Sequence, residues 1–188
     1  MLGFVFWHWP EPETRIPEYE QKLVTFHQAL ANSRVPGVRA SATFRVAGAP
    51  WLGPGRSGYE DWYFVDGYSA LETLNLAAVA ESRRASHDRV AQLAAGGAGG
   101  LYALISGSGD MGALTFVTWL TKPKGLAYAD FYEMVRPWTD VTPTSLWRRQ
   151  LVLGPAPEFC LMGDNPDELP STLRPLRFDR RLVWSGEL

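Results

Sequence analysis

An apolar run opens the chain, apolar positions then recur every three to four residues, and after that they alternate with polar ones. Residues 2–9 form a strand-like run in which Phe4, Phe6 and His8 point to one face and Val5, Trp7 and Trp9 to the other. Ile16, Tyr19, Leu23, Phe26 and Leu30 then share one face of a 3.6-residue period, which predicts a helix over 15–34 with Pro17 in its first turn and Pro36-Gly37 beyond its end. Val38, Ala40, Ala42, Phe44 and Val46 alternate with Arg39, Ser41, Thr43 and Arg45, the mark of a half-buried second strand. A Gly/Pro-punctuated loop carrying Trp51 leads to a third strand over 59–66. Ser69 and Glu72 form a capping box for a second helix, whose stripe of Leu71, Leu74, Ala78 and Val79 resumes at Val90 and Leu93. The glycine run over 96–100 is expected to stop that helix, leaving 101–106 as the fourth strand.

After a link over 107–112 the order recurs: strand 114–121, helix 128–136, strands 145–153 and 158–162, a helical start at Asn165-Pro166-Asp167-Glu168, and a strand over 176–184. Placing Asp66 on Asp164 also places Trp62 on Cys160, Glu60 on Glu158 and Leu71 on Leu169. The expected organisation is therefore a repeat over 1–106, a linker over 107–113 and a repeat over 114–188. A β-α-β-β-α-β order resembles the ferredoxin-like arrangement, an α+β fold. Two in tandem resemble a two-repeat member of the dimeric α/β-barrel superfamily. That superfamily includes cofactor-free antibiotic-biosynthesis-type monooxygenases, muconolactone-isomerase-like enzymes, EthD-like proteins and haem-binding chlorite dismutases. The resemblance implies two antiparallel sheets packed face to face as an intramolecular α/β barrel, and it leaves the reaction open.

Composition narrows the classes. Apolar residues make up 46% of the 188, enough for a substantial core. The net charge of −2 has no run of like sign, so no nucleic-acid footprint is present. No apolar stretch approaches the ~20 residues that span a bilayer, and residues 1–9 lack the basic start of a signal peptide. No membrane association is expected, and the expected compartment is the cytoplasm. The single cysteine, Cys160, sits in an apolar strand, where a thiol usually packs as a small hydrophobe rather than acting as a nucleophile.

The candidate chemistry centres on His8, a histidine at a strand end beside two tryptophans, either an acid/base or a hydrogen-bonded rim residue. Trp7, Trp9, Trp62, Trp119 and Trp147 supply aromatic walls for a ligand, and Arg45 could clamp an anion or keep a strand edge soluble. Asp61, Asp179, Glu60 and Glu158 are available to pair with the strand arginines. His27 is expected half-exposed and His87 solvated. The match of residues 107–112 to GxGxxG precedes a strand rather than a helix, so it reads as a link, not a dinucleotide site. No metal motif is present and no cofactor is predicted.

The first reading is a protein that binds a small apolar or aromatic molecule, as a cofactor-independent monooxygenase or isomerase. The second is a non-catalytic oligomerisation or interaction module, a homo-oligomer with Trp51 and Trp184 buried between chains. A haem protein ranks below both, because that branch is expected to place its histidine ligand in the second repeat and His8, His27 and His87 all precede residue 100.

Overall fold

The computed structural model describes residues 1–109, 116–141, 143–163 and 168–188. The elements run β1 (Leu2–Pro10), α1 (Ile16–Ala31), β2 (Val38–Ala47), β3 (Ser57–Val65), α2 (Tyr68–Ala78), α3 (Glu81–Ala91), β4 (Ala94–Gly107), β5 (Phe116–Leu120), α4 (Tyr128–Thr139), β6 (Ser145–Arg149), β7 (Phe159–Gly163) and β8 (Asp179–Glu187). The chain forms two compact units, Met1–Gly100 with Phe178–Leu188, and Leu101–Arg177. Most of the linker (110–113), the start of the fifth strand (114–115) and the helical start at Asn165-Pro166-Asp167 lie outside the described residues.

In the first unit the strand order is β4-β1-β3-β2-β8. β1 and β3 run antiparallel with Phe4 opposite Tyr63, Phe6 opposite Asp61 and His8 opposite Tyr59. This register puts Phe4, Phe6, His8, Tyr59, Asp61 and Tyr63 on one face, because directly opposed residues share a side of the sheet. On that face α1 lays Tyr19, Leu23, Phe26 and Leu30, all buried, as its helical period requires.

The other face carries Val5, Trp7, Glu60 and Trp62, each with no exposed surface. Buried Glu60 would be costly alone. It accepts Trp7 Nε1–H at 2.9 Å and Trp62 Nε1–H at 2.8 Å, and Arg180 of β8 donates through Nε at 3.0 Å and Nη2 at 2.8 Å.

Three sequence expectations give way here. The helix after β3 starts at Tyr68 with Gly67 as N-cap and no side-chain cap, and it breaks into α2 and α3 where Ala80 turns extended (ψ 149°). The glycine run lies inside β4 instead of ending a helix. A Cβ on Gly97 would lie 2.5 Å from the Phe6 ring and 2.9 Å from the Trp7 carbonyl oxygen, and one on Gly96 would lie 2.7 Å from the Trp9 ring. Glycine is there so that the β1 aromatics can cross the strand. Finally, the last expected strand divides: Leu176 bridges to Trp119 of β5, while β8 pairs antiparallel with β2, with Arg45 opposite Arg181.

The second unit orders its strands β5-β7-β6-β4, and Leu176 bridges back to Trp119 of β5. Leu120, Phe131, Val135, Leu146, Phe159 and Leu161 pack as its core, with the Phe131 and Phe159 rings 4.1 Å apart. Downstream of the undescribed stretch, residues 168–170 are irregular and lead into a 3-10 turn over Ser171–Leu173. Among the described residues no helix is long and apolar enough to cross a membrane.

Candidate active site in the first unit

Between the β1/β3 face and helices α1, α2 and α3 lies a cavity of about 710 Å³. Phe4, Phe6 and Tyr63 line its sheet side and Leu71, Leu74, Ala78 and Val90 its helix side, while Glu72, Asn75 and His87 add polar atoms. His8, Tyr19 and Asp61 also reach this wall. It is a mostly apolar space of ligand size with a few polar groups on its walls, the usual form of a small-molecule site.

On the sheet side the polar groups form one network with Tyr19 of α1. His8 Nε2 lies 3.1 Å from Asp61 Oδ2 and His8 Nδ1 lies 2.7 Å from the Tyr19 hydroxyl. The Tyr63 hydroxyl donates to the same Asp61 oxygen at 3.4 Å. His27 Nε2 sits 3.3 Å from it, at ion-pair distance without hydrogen-bond alignment, and His27 Nδ1 is 3.0 Å from Ser41 Oγ. His8 is 3% exposed, Asp61 2% and His27 0%. Asp61 Oδ1 has no hydrogen-bond partner among the described residues.

The electrostatics follow from burial and charge. Burial alone would raise the Asp61 carboxyl, but the charge of the facing imidazoles of His8 and His27, with the hydrogen bond from His8, holds it well below the ordinary carboxylate range. Asp61 is an anion. Burial, with the Asp61 charge nearby, pushes the Tyr19 and Tyr63 phenols up, so both stay protonated and serve as donors. The His8 ring is further fixed by stacking between Phe6 (centroids 5.2 Å apart) and Tyr59 (5.5 Å). An imidazole held by a carboxylate on one nitrogen and capped by a phenol on the other can accept a proton and keep the resulting charge paired.

The sequence-derived candidates separate. His8 lines the cavity. Trp7 and Trp62 point to the opposite face and hold Glu60. Trp9 is half-buried beneath the Arg56 guanidinium, 4.9 Å from its ring centroid, in a smaller depression with Glu11 and Thr14. Arg45 stands on β2 opposite Tyr59 and does not line the cavity. Trp119 and Trp147 are buried in the second unit, Trp147 donating to Ser145 Oγ at 2.9 Å. His27, expected half-exposed, is fully buried, and His87, expected solvated, is half-buried on the cavity wall beside Asp88. Sequence reasoning missed Tyr19, Tyr63 and His27, and it offered Asp61 only as a partner for arginine. The usable signal was the Tyr19, Leu23, His27 spacing along one helical stripe.

No family model matches the chain, and no curated protein matches it. Solved structures do. A "Putative monooxygenase" from Fusobacterium nucleatum is similar over 99% of this chain and 94% of its own, at 11% identity and a TM-score of 0.58. An "anthrone oxidase-like protein" is similar over 99% and 92%, at 11% identity and 0.53. A "Putative Chlorite dismutase" is similar over 96% and 94%, at 12% identity and 0.51. These neighbours are of the dimeric α/β-barrel kind, and at such identities the likeness is one of fold.

Proposed function

We propose that the first-unit cavity binds a small, flat, mostly apolar molecule and that His8, backed by Asp61, takes a proton from it to begin a cofactor-independent oxygenation. The observation that carries this reading is the imidazole, carboxylate and phenol set buried on the wall of an otherwise apolar cavity. If the Tyr19 hydroxyl turns from His8 Nδ1 toward a ligand oxygen, one movement frees the base and supplies a donor to the anion that forms. The imidazolium stays paired to Asp61 through Nε2. A stabilised carbanion can then be oxidised by dioxygen. For an activated methylene, both C–H bonds break and four electrons pass from carbon to dioxygen; one oxygen atom ends in the new carbonyl and the other leaves as water with the two hydrogens. The names of the monooxygenase and anthrone-oxidase-like neighbours accord with such a reaction.

We also propose that residues 114–188 repeat the plan of residues 1–106, joined by 107–113. The strand orders β1-β3-β2 and β5-β7-β6 support this, as does the pairing of Val5 with Trp62 and of Trp119 with Cys160. In that alignment Phe6 falls on Leu120, Asp61 on Phe159 and Tyr63 on Leu161, members of the second unit's apolar core. At the Asp61 and Tyr63 positions the second unit is apolar, so the plan folds there without these two polar groups, which favours a functional role for them in the first unit.

Two other readings have less behind them. Trp51, the tryptophan proposed for subunit contact, packs against Trp7 and Phe178 of its own chain, and Trp184 packs on His27. For haem, both nitrogens of His8 and of His27 already have neighbours, so these two residues do not fit an axial ligand.

The test is oxygen uptake with anthrone as the probe. Wild type is expected to consume oxygen and His8→Ala to lose about 100-fold or more of that rate, the size of a general-base contribution. A variant within twofold of wild type would overturn the role of His8. Conversion of an unsaturated ketone probe without oxygen uptake would make the same base an isomerase.

A further inference from the structure

His27 does not line the cavity, yet it meets the same carboxylate oxygen as His8. We infer that His27 carries the proton that balances Asp61, so that His8, on the cavity wall, stays neutral and able to accept one. His27 is then a positioning residue that acts through Asp61.

Charge balance and hydrogen-bond satisfaction together lead to this assignment. A buried carboxylate needs a paired positive charge. Among the described residues the only basic side chains at ion-pair distance from Asp61 are His8 and His27. The choice between them turns on Tyr19. Tyr19 is fully buried, and among the described residues its hydroxyl has one partner, His8 Nδ1 at 2.7 Å. An imidazolium at His8 would present N–H at both nitrogens, and the buried Tyr19 O–H would have no acceptor, a loss that folded proteins avoid. A neutral His8 with Nε2–H toward Asp61 satisfies both bonds.

A charge on His27 deprives no neighbour of its acceptor: Nε2–H faces the Asp61 carboxylate at 3.3 Å, an ion-pair contact without hydrogen-bond alignment. His27 Nδ1 faces Ser41 Oγ at 3.0 Å, and a hydroxyl accepts as readily as it donates. The rings of Tyr63 (centroids 5.4 Å apart) and Trp184 (5.2 Å) cover it, surfaces that favour a cation. From β3 the titratable groups facing it are Asp61 and Tyr63; Ser41 of β2, Trp184 of β8 and Phe26 of its own helix bring no charge.

The charge assignment stands on geometry; only its catalytic consequence rests on the function proposed above. In the full chain labelled with 15N-histidine, NMR at pH 7 is expected to show His27 with both ring nitrogens protonated and His8 with only Nε2 protonated. His8→Gln and His87→Gln assign the signals by elimination, so no variant of His27 is required. A neutral His27, or a charged His8, would overturn the assignment. In His27→Gln, Asp61 is left with His8 alone, and the whole of its negative charge acts on the His8 ring. The acid limb of the oxygen-uptake profile should then move up by about one pH unit with the plateau rate kept within several-fold. A limb that stays in place would refute the positioning role. If the chain consumes no oxygen at all, the NMR result still decides the charge.

Discussion

Replacing Asp61 with Asn removes one negative charge and almost no volume, which makes it a direct probe of the buried network. In wild type the Oδ2 atom takes His8 at 3.1 Å, His27 at 3.3 Å and Tyr63 at 3.4 Å. An Asn oxygen in its place keeps neutral hydrogen bonds but no longer balances a cation, and the amide nitrogen takes the Oδ1 place, where its donors meet no partner among the described residues. Breaking a buried ion pair from one side costs about 3–5 kcal/mol, and relief of the carboxylate's own burial puts Asp61→Asn near the lower end, about 3 kcal/mol. For a chain of this size that is a fall in Tm of about 6–12 °C. The pH dependence has a definite sign. Because the folded state holds this carboxyl below its ordinary range, its contribution is full above the unfolded value of about 3.9 and is lost as pH falls toward the folded value. Urea unfolding of both proteins from pH 7 down to about pH 3 should therefore show the gap between them narrowing with acid. A gap under about 1 kcal/mol at pH 7, or one that does not change with pH, would mean that Asp61 is not the paired anion described here.

Two further substitutions separate stability from chemistry. Gly97→Ala would place a methyl 2.5 Å from the Phe6 ring and 2.9 Å from the Trp7 carbonyl oxygen, and should cost about 1–3 kcal/mol in chemical denaturation, a loss that an open position would not show. Tyr19→Phe should lower kcat for oxygen uptake by about 100-fold while changing stability by only about 1 kcal/mol, because it deletes the donor to the anion but keeps the ring; an unchanged kcat would remove Tyr19 from the reaction.

Much of the fold was legible in the sequence because the periods are strong. The strands β1 and β2 and the stripe of α1 lie within a few residues of the expected bounds, but the polar face expected of β2 is not exposed in its middle, where Ser41 and Thr43 are buried. Local signals failed where tertiary contacts override them. The glycines over 96–100 read as breakers, but their function is to let aromatic rings cross β4, a contact invisible from one strand alone. The capping box at Ser69 and Glu72 yields to a helix starting from Gly67. The destination of β8 is a pairing choice that a strand's own residues do not encode.

The site divides along the same line. His8 stood out because a histidine in an aromatic strand is unusual. Asp61 reaches it only through the β1/β3 register, and a shift of one residue would have sent Glu60 to that face. The tryptophans drew notice as cavity walls, yet alternation sends Trp7 and Trp62 to the far side, and smaller rings, Phe4, Phe6 and Tyr63, line the cavity.

Every role proposed for the site requires that the first-unit cavity hold a reacting molecule against His8. The decisive experiment is a crystal structure of the protein soaked with anthrone under anaerobic conditions. Density is expected for a planar molecule over Phe4 and Phe6, with its oxygen or its acidic carbon within about 3.5 Å of Tyr19 Oη or His8 Nδ1. A ligand bound elsewhere, or side chains filling the space between Leu74 and Phe6, would be incompatible with that requirement.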